Sequence, residues 1–254
     1  MNIPREAIPI DLGLYIKKQK VLVFSDFHLG YEEALQKQGI LVPRFQFKDT
    51  VQRLEHIFSV CQKKKWSIKT IVINGDLKHE FGKISNQEWR EILRLMDILL
   101  QHCKELVIVK GNHDIILDPI VKKRMEKGNV KLQPFYRAGS IVFTHGDILV
   151  DTLFDEKELK KIRTIIIGNE HPAVALQERG RVERFKCFLA GKYKDKTLFV
   201  LPSFQLLTTG TDVLREEILS PYLKQDLKDF GCWIVADDGN VLDFGMLKNV
   251  MKKR

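Results

Sequence analysis

Short apolar runs that alternate with longer amphipathic stretches constrain the fold of this chain more than any other feature. In the first half, strands and helices are predicted in turn at 21–25, 49–65, 68–74, 86–103, 106–110 and 118–128. This order is typical of βαβ units. Beyond residue 128 strand-like runs dominate, at 141–144, 164–168, 173–178, 184–193, 197–204 and 232–237. We therefore expect an α/β fold in which two sheets pack together with helices outside them.

The length and composition of the chain favour one sizeable hydrophobic core. It has 254 residues, 44% of them hydrophobic, and no long linker or repeat divides it. Domains of this size bury most of their apolar surface. We therefore expect a single domain over residues 1–254.

The net charge of the chain bears on its partners and its location. A formal charge of +9 favours an anionic partner such as nucleic acid, nucleotide or membrane phosphate. No apolar run approaches the ~18 residues that span a bilayer. The first residues also lack the apolar segment of a signal peptide. The sequence thus predicts a cytoplasmic protein without a membrane partner, and it leaves the oligomeric state open.

Five of the strand-like runs end in side chains that can bind metal ions or transfer protons. These groups contain, in chain order, Asp26 and His28, Asp76, Asn112 with His113 and Asp114, His145 and Asp147, and Asn169 with Glu170 and His171. A lone aspartate at a strand end is more often a turn residue, but five such groups are hard to explain as unrelated loops. Because open α/β sheets place ligand sites beyond the carboxyl ends of their strands, we expect one shared crevice. Carboxylate, amide and imidazole donors together suit Mn²⁺, Fe or Zn²⁺.

These five groups resemble the motifs of the calcineurin-like metallophosphoesterases, which run D-x-H, G-D, G-N-H-D/E, H and G-H-x-H. The resemblance spans residues 21–171 and implies a four-layered αββα sandwich with two central mixed β-sheets. Two further stretches, GDLKHEFG at 75–82 and LPSFQLLTTGTDVL at 201–214, resemble a branch related to the SbcD-type DNA-repair nucleases and the ligase-associated phosphoesterases.

The resemblance also implies a role for each matching residue. It places the first of two divalent cations on Asp26, His28, Asp76 and His171, with Asp76 bridging to the second. Asn112 and His145 would hold the second cation. His113 would be the catalytic acid or stabilise the transition state, and Asp114 would orient its imidazole. Mn²⁺ is the favoured metal, with Fe or Zn²⁺ as alternatives.

One position departs from the family pattern. Asn169 stands where G-H-x-H has a histidine on the second metal, and an amide oxygen is a weaker donor than imidazole for a transition metal. Glu170 is adjacent and offers a replacement carboxylate, although we expect its side chain to point away from that of Asn169. His79, three residues after Asp76, is a candidate for substrate contact, with ordinary loop packing as the alternative.

Three functions are compatible with this sequence. The leading one is metal-dependent hydrolysis of phosphodiesters, of DNA or nucleotides, by a water that two cations activate. A second is hydrolysis of small-molecule phosphodiesters or phosphomonoesters. The third is a non-catalytic scaffold that kept the fold with a weakened second metal site.

Overall fold

Parallel strands from the first half of the chain form one of two mixed sheets. The structure is a computed structural model and describes residues 6–126, 128–178 and 180–252. The strands of the first sheet lie side by side in chain order: β1 (Ala7–Ile10), β2 (Gly13–Ile16), β3 (Val21–Phe24), β4 (Thr70–Asn74), β5 (Glu105–Val109) and β6 (Val130–Gln133). Strands β1 to β3 pair antiparallel, and β3 to β6 pair parallel. The carboxyl ends of β3, β4 and β5 therefore meet at one edge.

The second half of the chain forms the other mixed sheet. Its strands are β7 (Tyr136–Ala138), β8 (Ile141–Phe143), β9 (Thr164–Ile167), β10 (Pro172–Glu178), β11 (Arg181–Tyr193), β12 (Lys196–Val200), β13 (Thr211–Asp212), β14 (Gly231–Val235) and β15 (Val241–Met246). The main path runs β13-β10-β11-β12-β9-β8-β7, and β14 joins β11 to β15. Strands β8, β9 and β12 are parallel neighbours, so their carboxyl ends also lie side by side.

Helices cover the outer faces of both sheets. They are α1 (Tyr31–Lys37), α2 (Gln46–Lys63), α3 (Asn86–Leu100), α4 (Asp118–Met125), α5 (Val150–Leu153), α6 (Glu156–Leu159) and α7 (Leu247–Lys252), with a 3₁₀ helix at Asn112–Asp114. Ser85 and Glu88 form a capping box that fixes the start of α3. Among the described residues, every helix is too short or too polar to cross a bilayer.

The core shows how the layers are stacked. Along β9, Ile166 belongs to the core between the sheets, whereas Ile165 and Ile167 belong to a second core on the opposite face. This alternation follows from the two-residue period of a strand. Leu54 of α2 packs into the first core and Val250 of α7 into the second. The expected αββα sandwich with two mixed sheets is confirmed.

Several elements were not predicted from the sequence, namely the strands β6, β7, β13 and β15 and the short helices α1, α5, α6 and α7. The hairpin of β1 and β2 was not predicted either. The run at 197–204 was expected to be one strand, but β12 ends at Val200. Pro202 follows and cannot donate to a ladder. Beyond it, the backbone N–H of Phe204 donates to the carbonyl of Ser25 at 2.8 Å, so the chain leaves its own sheet for the other.

Candidate metal centre

All five motif groups lie where the strand ends of the two sheets meet. Asp26, Asp76 and Asn112 follow β3, β4 and β5, while His145 follows β8 and His171 lies between β9 and β10. The sheets are joined at this point by Asn74, the last residue of β4. Its Nδ2 donates to the carbonyls of Thr144 at 2.8 Å and Ile166 at 3.2 Å. The one crevice expected from the sequence is therefore present.

The backbone is left-handed at most of the expected ligand positions. The φ angles are 55° at Asp26, 44° at His28, 47° at Asp76, 62° at Asn169 and 50° at His171. The segment that carries Asp26 and His28 is therefore not an extended strand. Left-handed residues after β3, β4 and β9 turn the chain sharply and bring these side chains together. Non-glycine residues adopt this conformation at an energetic cost, and such residues cluster at functional sites.

The expected ligands of the first cation converge on one point. His28 Nε2 lies 3.3 Å from His171 Nε2 and 3.6 Å from Asp76 Oδ2. Asp26 Oδ1 lies 3.4 Å from His171 Nε2. Asp26 is fully buried, and its carboxylate accepts from the Ser25 hydroxyl at 2.6 Å and the Asn169 backbone N–H at 3.1 Å.

The expected ligands of the second cation converge on the other side of Asp76. His145 Nε2 lies 3.4 Å from Asp76 Oδ2 and 2.9 Å from Asn112 Oδ1. Asp76 Oδ2 thus faces both groups, whereas Oδ1 accepts from the backbone N–H of His113 at 3.0 Å. Position 75 must be a glycine, because a Cβ there would stand 2.0 Å from His145 Nδ1.

These separations fit divalent cations. Donor atoms about 2.1 Å from one ion stand roughly 3.0 to 3.4 Å apart in octahedral or tetrahedral geometry. The distances across both groups lie close to that range. Asp26, His28 and His171 form one candidate metal-binding group, and Asp26, Asp76 and His145 form another. The mixture of oxygen and nitrogen donors suits a transition metal.

The carboxylates of the centre raise the pKa of one buried histidine. Burial alone would lower the pKa of His145, but the hydrogen-bonding distance to Asp76 and the charge of Asp26 raise it to about 10. The pKa of Asp76 is held below its usual range, because the neighbouring histidines outweigh its burial. Burial, with the proximity of His171, lowers the pKa of His28 to about 3. A histidine that ligates a metal ion must be neutral, so a cation held by His145 would have to displace this proton.

His113 lies against the centre, but Asp114 does not orient its imidazole by direct contact, contrary to the expectation from the family resemblance. The Nδ1 of His113 is within hydrogen-bonding distance of the His79 carbonyl, which requires Nδ1 to carry the hydrogen. Its Nε2 faces Asp76 Oδ2 at 3.8 Å. The buried Asp114 carboxylate instead accepts from the backbone N–H groups of Leu77 and Gly111, each at 3.1 Å. Asp114 therefore joins the two loops that carry Asp76 and Asn112.

Glu170 does not replace the missing imidazole at position 169. It is fully buried, and its Oε2 accepts from the backbone N–H groups of Leu219 at 3.0 Å and Ser220 at 2.7 Å. The Oε2 atom of Glu170 is therefore held by the backbone at 219–220. The structure places Asn169 beside the centre through its backbone N–H, which donates to Asp26.

Residues 203–211 form a brace behind the first group, and sequence reasoning missed this role. The N–H of Gln205 donates to the carbonyl of Asp26 at 3.0 Å, and the N–H of Thr211 donates to the carbonyl of His171 at 2.9 Å. A Cβ at Gly210 would stand 2.0 Å from the carbonyl oxygen of His171. The Nζ of Lys186 donates to the Ser203 hydroxyl at 2.6 Å. The family-like stretch at 201–214 was the only signal in the sequence.

A cavity of about 210 Å³ opens onto the centre. It is lined by His28, Tyr31, His79, His113, His171, Gln205 and Thr208. His79, the expected substrate contact, thus lines the cavity with its ring, and its carbonyl also positions His113. Burial, with the proximity of His113, lowers the pKa of His79 to about 4.

A larger cavity of about 500 Å³ lies next to the first and shares Thr208 with it. Its cations are largely paired with acidic neighbours. Arg53 Nε lies 2.6 Å from Asp11 Oδ1, and Arg184 Nη2 lies 2.5 Å from Glu216 Oε1. The positive charge of the chain is therefore partly neutralised beside the centre.

Comparisons with known proteins bear on the fold and the family. A family model described as calcineurin-like phosphoesterase matches residues 19–226. The crystal structure of the nuclease MPE from Pseudomonas putida is similar to this chain, with a TM-score of 0.60 and 15% sequence identity. The similarity covers 94% of this chain and 98% of that one, and it concerns the fold.

Two other solved structures are similar at a TM-score of 0.33, which is too low to bear on the fold. One is a predicted phosphoesterase from Streptococcus pneumoniae, with 17% identity over 88% of this chain and 94% of that one. The other is Vps29 from Entamoeba histolytica complexed with Zn²⁺, with 16% identity over 89% of this chain and 99% of that one. No curated protein sequence matches the chain.

Proposed function

Because the chain belongs to the calcineurin-like phosphoesterase family, a metal-dependent family of phosphoester hydrolases, we propose that it hydrolyses phosphodiester bonds of DNA or nucleotides with two divalent cations. The first cation is held by Asp26, His28 and His171, the second by Asn112, His145 and Asn169, and both by Asp76. Mn²⁺ is the proposed metal, with Fe or Zn²⁺ as alternatives. The branch resemblance of residues 75–82 and 201–214 supports a nucleic-acid substrate, and so does the net charge of +9.

One observation carries this proposal. Asp76 Oδ2 lies 3.6 Å from His28 Nε2 and 3.4 Å from His145 Nε2, so a single carboxylate oxygen faces both groups of donors. Three histidine ring nitrogens, those of His28, His113 and His145, lie within 3.8 Å of this oxygen. When bound, two such cations stabilise charge on phosphoryl oxygens and lower the pKa of a water molecule.

The side chains of this chain then have separate tasks in hydrolysis. Water adds to phosphorus as the bond to the leaving oxygen breaks, and that oxygen must gain a proton. His113 is suited to supply it as the imidazolium, in which both ring nitrogens carry a hydrogen, because its Nδ1 is fixed against the His79 carbonyl and its Nε2 faces the centre. Asp114 maintains the geometry by joining the loops of Asp76 and Asn112. The Gln205 side chain fixes the cavity wall by accepting from the N–H of Thr208 at 3.1 Å.

The test combines metal stoichiometry with hydrolysis assays. The metal-free protein is titrated with Mn²⁺, Mg²⁺, Zn²⁺ or Ni²⁺, and each form is assayed on bis(4-nitrophenyl) phosphate, 4-nitrophenyl phosphate and a DNA oligonucleotide. We expect two bound cations per chain and hydrolysis of both diesters. Hydrolysis of the monoester alone would support the small-molecule alternative. Metal binding without any hydrolysis would support the scaffold alternative.

A further inference from the structure

Four aromatic rings form a continuous row beside the candidate centre. Ring centroids are 4.3 Å apart between Tyr31 and His79, and 5.5 Å apart between His79 and His113. The Phe81 ring lies 3.6 Å from that of His113 at an angle of 32°. The first three rings line the cavity, whereas Phe81 is 52% exposed. The row thus leads from the centre to solvent and passes over the proposed proton donor.

The loop that carries Phe81 is held in place at several points. The carboxylate of Glu88, which is fully buried, accepts from the N–H groups of Glu80 at 2.8 Å and Ser85 at 2.6 Å. The Nζ of Lys78 donates to the carbonyl of Phe81 at 3.3 Å. Because the loop is fixed before any ligand binds, little ordering would be needed for a group to stack on the Phe81 ring.

The chemistry of the row suits a planar group. An exposed phenyl ring offers its π-face to another flat ring, and every nucleobase has such a face. Ile115 lies two residues after His113 on the loop that follows β5, and its apolar side chain is 68% exposed. The cavity beside the row is lined mainly by flat rings, those of Tyr31 and of the histidines at 28, 79, 113 and 171.

We propose that Phe81 is a stacking site for an unpaired nucleobase on the leaving-group side of the scissile phosphodiester. This inference rests on the proposed phosphodiester hydrolysis. If His113 protonates the leaving oxygen, the nucleoside on that oxygen lies next to His113 and within reach of Phe81. A base paired inside a duplex cannot offer its face in this way. The substrate class is therefore single-stranded or frayed nucleic acid.

The test compares a dinucleotide with its abasic analogues. Thymidylyl-thymidine and two analogues, each with one nucleoside replaced by an abasic tetrahydrofuran, are assayed with Mn²⁺ at equal concentrations. We expect removal of the leaving-side base to lower kcat/KM of the unmodified protein by roughly 5- to 150-fold, the contribution of one stacked base. The ratio of kcat/KM between thymidylyl-thymidine and the analogue without the leaving-side base falls towards one in Phe81→Ala. The same ratio is retained in Phe81→Trp. Phe45→Ala, which alters another exposed phenylalanine, is the matched control.

The outcomes separate the two proposals. Hydrolysis of all three substrates at similar kcat/KM would overturn the stacking site and leave phosphodiester hydrolysis intact. A large ratio that survives in Phe81→Ala would overturn the assignment to Phe81. Hydrolysis of none of them would overturn the proposed action on nucleotides, and the stacking site would fall with it. Thermal unfolding of each variant confirms that the exposed substitutions leave the fold unchanged.

Discussion

The two halves of the candidate metal centre differ in how firmly the fold holds their ligands. In the first half, Ser25 and Asn169 donate hydrogen bonds to the carboxylate of Asp26. The brace at 203–211 donates hydrogen bonds to the backbone carbonyls of Asp26 and His171. In the second half, His145 Nδ1 lies 3.5 Å from the carbonyl of Asn74, a long contact. The carboxylate of Asp26 in the first half is therefore fixed more firmly than the imidazole of His145 in the second.

This difference predicts an order of metal binding. The first half offers two carboxylates and two imidazoles, whereas the second half offers the shared Asp76, one imidazole and amide oxygens. The Oε2 atom of Glu170 accepts from Leu219 and Ser220, and Glu170 belongs to none of the candidate metal-binding groups among the described residues. We therefore expect the second cation to bind more weakly and to be lost first. Four substitutions would break or sharpen this comparison.

Asp76→Asn removes the one group that the two halves share and has the largest expected effect. Both sites lose a charged ligand, so we expect hydrolysis to be abolished and metal content to fall well below two ions per chain. Circular dichroism and metal analysis check this result. Asp226→Asn, the same change at an exposed surface position, is the control. Substantial activity in folded Asp76→Asn would refute the bridging role.

His113→Ala separates chemistry from metal binding in both halves. We expect turnover to fall by roughly 10²- to 10⁴-fold, the usual contribution of general acid catalysis, with two cations still bound. Single-turnover assays and metal analysis are the measurements. A lost cation would mean that His113 is a ligand and that its assigned role is wrong.

Gly210→Ala weakens the first half alone. A new Cβ would clash with the backbone carbonyl of His171 and displace this expected ligand. Loss of the groups that position a ligand typically lowers metal affinity by about 10- to 100-fold. Titration calorimetry with Mn²⁺ should show the two affinities drawing closer together. Gly39→Ala is the matched control, because Gly39 also has a positive φ of 84° but nothing lies within 4 Å of the position that its new methyl group would take. If Gly210→Ala and Gly39→Ala lowered the Mn²⁺ affinity equally, backbone strain rather than the brace would be the cause of the loss.

Asn169→His strengthens the second half and has the smallest expected effect. Restoring an imidazole should move the Mn²⁺ activation curve to lower concentration by about tenfold, the lower end of what coordination changes produce. The calorimetric affinity of the second cation should rise in parallel. Two equally tight sites in the unmodified protein would mean that another group or a water already completes the donor set of the second cation.

The sequence predicted the features that depend on local pattern. The βαβ alternation predicted two packed sheets with helices outside, and the strand-end groups predicted one crevice, because parallel strands place their ends together. The four-layered αββα sandwich was implied by the family resemblance. The hydrogen bonds of Asp114 and the brace at 203–211 were not predictable, since they join segments that lie far apart in the chain. The left-handed turns at Asp26 and His171 also have no single-residue signature. The single domain, the cytoplasmic location and the residue roles stay predictions.

The left-handed backbone at Asp26, His28, Asp76, Asn169 and His171 also has a consequence for the lifetime of the protein. Each such residue costs about 1–2 kcal/mol, and a typical domain has only roughly 5–15 kcal/mol of stability in total. The metal-free protein would therefore have a reduced margin of stability, and a bound cation would restore part of it, because the donors converge only in the folded state. Proteases act on the unfolded fraction. We expect the supply of metal in the cell to set how much of this protein persists, in addition to how fast it works.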